Sequence, residues 1–171
     1  MNRQQALRRR IKLLTWFFIV GLVLSGATAI PLQTELRWLV EMTKARQLVE
    51  SQPSTNAPVW AVWLIKVQTV IEETSSKHPL LFYGTDWLAF GHFVIALAFV
   101  GALRNPVRNR WLFDFGLIAC VLVIPYALVL GAVRGIPFWW RLIDCSFGVF
   151  GFIPLWFCRK WARELETRNS P

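Results

Sequence analysis

Apolar residues gather into four long stretches along the chain, separated by short polar links and by one longer segment of mixed character. The first stretch, Leu13–Ile30, is an uncharged run of 18 residues, long enough to cross a hydrocarbon core about 30 Å thick with modest tilt. The second is Leu80–Leu103, with its apolar body over residues 81–103, and the third is Trp111–Val133. The fourth runs from about Phe138 to Cys158. This pattern predicts an all-α fold, a four-transmembrane-helix bundle with an external amphipathic helical segment between helices 1 and 2. All of residues 1–171 would form one integral membrane domain. Asn105-Pro106 and Gly135-Ile136-Pro137 provide the short turns between the later spans. Pro125 and Pro154 should kink their helices or be accommodated by neighbours.

The first stretch has a second reading. A basic start, an apolar centre and the small-residue pattern Ala27-Thr28-Ala29 also describe a cleavable secretory signal. Trp16, Phe17 and Phe18 lengthen the apolar run, and Ile30-Pro31-Leu32 places no polar boundary after the cleavage pattern, which favours a retained helix.

Residues 31–80 hold two helical patterns. Over about Thr34–Glu50, Leu36, Leu39, Val40 and Leu48 fall towards one face. After Asn56-Ala57-Pro58, a helix start signal, Trp60, Trp63, Leu64, Val67 and Ile71 recur on one stripe. Ser51-Gln52-Pro53-Ser54-Thr55 separates the two. The Trp-rich stripe suits the membrane interface, the outer end of the bundle or a protein partner.

Charge adds orientation. The formal net charge of +9 is not spread evenly. Residues 1–12, the link 103–110 and the tail after Cys158 hold twelve basic and two acidic residues, +10 together, while the rest of the chain sums to −1. Basic residues confined to one side place that side, with both termini, in the cytoplasm. Such confinement, without a basic groove interleaved with stacking aromatics, argues against nucleic acid as a partner. The expected partners are the lipid bilayer and a lipid-like ligand or membrane protein. Cys120, Cys145 and Cys158 lack metal or redox spacing and read as small buried hydrophobes. No cofactor or metal is expected.

Ionisable residues within spans need a partner or a use. Asp86, Arg141 and Asp144 occupy the outer turns of the second and fourth spans and should lie at similar depth, with Arg134 in the turn nearby. Arg141 and Asp144 are three apart, hence on one helical face and able to pair. Asp86 could meet Arg134 or Arg141, and Asp114 stands alone near the cytoplasmic end. The cluster is either a salt-bridge lock or an outward-facing pocket for a head group. Asp86, after Gly84-Thr85, also fits a first-turn acid complementing the helix dipole. His92 lies about 9 Å deeper than Asp86 and about 120° around the helix. It reads as a neutral, hydrogen-bonded imidazole or as a ligand or proton-handling group.

The stretch Gly84-Thr85-Asp86-Trp87-Leu88-Ala89-Phe90-Gly91-His92-Phe93, followed by Arg141, Asp144, Gly148 and Gly151, resembles the VanZ-like membrane protein family. That family opens its second span with an Asp, then a His and aromatics, and carries an Arg before an Asp and glycines in its fourth. The resemblance covers about half the chain, from Phe82 to Pro154. The Asp-to-His spacing is two longer here, Trp87 stands where the family has Lys, Arg141 is closer to Asp144, and Gly131–Arg134 lacks the family's acid and amide. The resemblance implies an outward polar cluster and a link to envelope lipids or glycopeptide resistance.

The expected function is that of a non-enzymatic, multi-pass protein of a bacterial inner membrane, binding a small amphiphile or a partner through Asp86, His92, Arg134, Arg141 and Asp144. Nothing resembles a nucleophile elbow or a metal-ligand histidine pair. The rivals are a membrane enzyme or transporter acting on a lipid-linked substrate through His92 with Asp86 or Asp144, and a structural subunit of a membrane complex.

Overall fold

A computed structural model describes residues 3–51 and 56–169. Residues 52–55, most of the predicted separator after Ser51, lie outside the described residues. Seven helices follow one another among those described: α1 (Arg3–Ala29), α2 (Leu32–Met42), α3 (Ala45–Glu50), α4 (Val59–Lys77), α5 (Leu80–Arg104), α6 (Arg110–Val133) and α7 (Phe138–Asn169). No strand occurs among the described residues. Four helices, α1, α5, α6 and α7, are long and apolar enough to cross a membrane. They also leave many large apolar side chains open, among them Phe17, Leu97, Tyr126 and Phe150. Such a surface is costly in water and natural in lipid, so the chain has the character of an integral membrane protein.

Two compact units are distinguishable: one runs to Leu22 and resumes from Val94, and the other is Val23–Phe93. The first unit has a continuous core built from Leu7, Ile11 and Ile19 of α1, Phe99 of α5, Leu112, Phe113 and Leu117 of α6, and Leu155, Cys158, Ala162 and Leu165 of α7. Phe99 stands at its centre, with its ring 4.8 Å from Phe18 and 6.4 Å from Phe113. Thr15 is fully buried, and its hydroxyl lies 3.7 Å from the Cys158 thiol.

α7 continues well beyond the predicted boundary at Cys158. Its 32 residues span about 48 Å, against a core about 30 Å thick. Ala162 and Leu165 are fully buried in the same core as Leu7 and Ile11 of α1, which favours continuing the helix past the apolar stretch. α6 and α7 pack closely against each other, and Gly148 permits the approach at Cys120. A methyl group at Gly148 would lie 2.5 Å from the Cys120 carbonyl oxygen. Their turn is a Schellman motif: Gly135 has φ +70°, and Ile136 donates its N–H to Gly131 at 2.8 Å. Asn109 closes the α5–α6 link through Nδ2, which donates to the Gly101 and Asn105 carbonyls. Pro125 lies inside α6 without ending it.

In the second unit α2 and α3 pack on α4. The predicted helix over Thr34–Glu50 is divided in two, because Lys44 adopts φ 52° and redirects the chain. Leu36, Val40 and Ala45 are buried, as are Ala61, Leu64 and Gln68 of α4. Leu39 and Trp60, assigned to apolar stripes by periodicity, are exposed. The α4 face that packs is centred about one residue around the helix from the predicted stripe, since small Ala61 allows closer approach than Trp60. Polar side chains tie the elements together. Arg37 Nε donates to Glu72 at 2.9 Å, Gln68 Nε2 donates to the same carboxylate at 3.2 Å, and Arg46 reaches Gln68 Oε1 at 3.4 Å. Gln33 and Ser75 form a further link.

Candidate functional site

The second unit carries Asp86 and His92 on α5. Tyr83, Asp86, Trp87 and Phe90 recur at three- and four-residue steps and so share one stripe. Trp87 stands edge-on to both neighbouring rings, 6.0 Å from Tyr83 and 5.7 Å from Phe90. With Asp86 these rings line a shallow groove of about 250 Å³. Asp86 is exposed and forms no ion pair within its unit among the described residues. Thr85 turns inward on its own helix, donating its hydroxyl to the Phe82 carbonyl at 2.7 Å.

His92 is held differently. Its Nδ1 lies 2.8 Å from the Leu88 carbonyl oxygen, so this nitrogen is the donor and a neutral ring leaves Nε2 as acceptor. The end of α1 crosses closely here: a methyl group at Gly26 would lie 3.0 Å from the Ala89 oxygen and 3.1 Å from His92 Cβ. His92 is half-buried in this crossing and lies off the Asp86 stripe.

Arg134, Arg141 and Asp144 belong to the first unit. Arg141 and Asp144 form no ion pair, which corrects the expectation drawn from their spacing. Arg141 instead leaves its helix for α6. Its stem lies where a side chain on Gly131 would be, with Cδ 2.5 Å from the position of a Cβ there. Its Nη1 donates to the Leu128 carbonyl at 2.9 Å, and its guanidinium carbon stands 5.3 Å from the centre of the Phe138 ring. The physical reason is the C-terminal part of α6, where helix carbonyls carry partial negative charge and attract a cation. Asp144 is half-buried and Arg134 exposed, neither in an ion pair among the described residues. The sequence-derived cluster is therefore not one salt-bridged network within this unit.

Ion pairing concentrates instead at the opposite end of the first unit. Asp114 does not stand alone: it pairs with Arg159 Nε. Arg110 pairs with Glu166, while Glu164 meets Arg3 at 3.0 Å and Arg168 at 3.2 Å. A signal for this was available in the sequence. Arg110 and Asp114, four apart, face Glu166 and Arg159, seven apart, in the antiparallel order that matches opposite charges. Reading it required α7 to remain helical beyond Cys158. Beside the Asp114–Arg159 pair, Leu117, Ile118, Val121 and Leu122 of α6 and Phe152 and Trp156 of α7 wall an open groove of about 480 Å³. Phe152 and Trp156 stack there at 5.9 Å. No protein-family model matches the chain, and neither does any curated protein or solved structure.

Proposed function

We propose that this is a four-span protein of a bacterial inner membrane, with both termini cytoplasmic and residues 31–80 external. Its Asp86 groove binds the head group of a cationic amphiphile, without catalysis. The observation that carries this reading is a carboxylate that forms no ion pair within its unit among the described residues, set among three open aromatic rings. Aromatic faces attract ammonium groups, and more strongly where water is partly excluded. An unneutralised carboxylate at membrane depth needs a cation or water. The resemblance to the VanZ-like family bears on the same point: Trp87 stands where that family has Lys, so Asp86 lacks the cation next to it in sequence.

Dodecyltrimethylammonium, below its micelle concentration, serves as the probe. It is titrated into protein held in neutral maltoside micelles and followed by calorimetry. Wild type should bind saturably, and Asp86→Asn and Trp87→Ala should each weaken binding about ten-fold. Equal binding by wild type and Asp86→Asn would remove the basis for the proposal.

A further inference from the structure

We infer that the α6–α7 groove beside Asp114 and Arg159 is a binding site for a glycerophospholipid with a phosphoethanolamine head group. The argument begins with the charge pair. Arg159 uses Nε for Asp114, and a guanidinium has five N–H donors, so its remaining N–H groups have no partner among the described residues. Asp114 likewise retains acceptor capacity on its second oxygen. Both side chains are more than a third exposed at the mouth of the groove. The pair thus offers donors to an anion and acceptors to a cation side by side.

A phosphoethanolamine zwitterion is the complement. Its phosphate accepts charge-assisted hydrogen bonds from Arg159, while its ammonium donates to Asp114. A purely anionic head group would bring a second negative charge beside Asp114 without a cation to offset it. A phosphocholine head group carries charge but no N–H with which to satisfy the carboxylate.

The remainder of the groove suits an acyl chain. From Asp114 to Leu122 it extends about 12 Å along α6. Ile118 and Leu122 are each 60 % exposed, so this wall is open within the first unit among the described residues. The stacked Phe152 and Trp156 form the facing wall, with Trp156 near the charged end, as amphipathic rings favour at a membrane interface.

The test is native mass spectrometry of delipidated protein, offered phosphatidylethanolamine, phosphatidylcholine or phosphatidylglycerol of identical acyl composition. Wild type should retain the ethanolamine lipid at least about five-fold better than either other lipid. Asp114→Asn should reverse the preference towards phosphatidylglycerol, and Arg159→Gln should weaken all three. Leu122→Trp, which fills the groove without touching the charge pair, should also lower ethanolamine-lipid retention several-fold. Equal retention of the three lipids by wild type, or a wild-type preference for phosphatidylglycerol, would overturn the inference. So would an ethanolamine preference that Leu122→Trp leaves unchanged, because the lipid would then sit elsewhere.

Discussion

Arg141 lays its stem over Gly131 and donates to the Leu128 carbonyl, so its guanidinium joins α7 to α6 rather than neutralising Asp144. A hydrogen bond to a charged group contributes about 1.5–3 kcal/mol. Arg141→Leu should lower stability in detergent by an amount in that range, and it does not strip Asp144 of a partner. The effects of Arg141→Leu and Asp144→Asn should therefore add to within about 0.5 kcal/mol in a double-mutant cycle. A coupling well above that would mean that the two side chains pair after all. At the same scale, His92 donates to the carbonyl of its own helix, four residues back. That hydrogen bond satisfies Nδ1 within α5 itself. The sequence favoured a hydrogen-bonded histidine over a ligand or proton-handling role, and this contact bears on the first reading alone.

Among the elements, the α2–α3–α4 segment behaves least like a simple amphipathic hairpin. Its apolar contacts are few and small, and a polar chain from Arg37 through Glu72 and Gln68 to Arg46 supplements them. The Arg37 guanidinium, and then the Gln68 amide, hold the Glu72 carboxyl below its ordinary value of 4.5. A depressed folded-state value means that the contribution is complete above about pH 4.5 and is lost as pH falls through the lower, folded-state value. Amide exchange over α4, corrected for the intrinsic effect of pH, should thus show protection falling under acid in wild type. In Glu72→Gln the fall should be reduced. An unchanged acid response in that variant would show that another group governs the segment. Periodicity identified the helices here but misplaced their packed faces. The missing information was side-chain size: Ala61 admits a neighbour that Trp60 would hold away.

For the whole molecule, the proposed topology rests on the distribution of charge and can be read by labelling. Single cysteines placed at Ser51 and Thr167 in a background without Cys120, Cys145 and Cys158 test it in intact cells. An impermeant maleimide should react at position 51 and not at 167, and the reverse pattern would invert the protein. The first helix bears on the same question. Ile11 and Thr15 are fully buried in the first unit's core and Ile19 nearly so, so removal of α1 would open that core. Intact mass of the purified protein should accordingly include residues 1–29. A mass lacking them would restore the signal-peptide reading.

The hydropathy pattern by itself determined the all-helical class and the four long apolar helices, because each is a local property of composition over some 20 residues. It also located the turns at Asn105-Pro106 and Gly135, where backbone chemistry is equally local. The partners of the charged residues were decided only by tertiary structure. Spacing along α7 puts Arg141 and Asp144 on one face, yet a flexible guanidinium goes to whichever acceptor lies within reach, and that acceptor belonged to α6. Asp114 gained a partner for a comparable reason. Burial of Ala162 and Leu165 in the first unit's core accompanies the continuation of α7 past its apolar stretch, which sets Arg159 opposite a carboxylate 45 residues away in sequence.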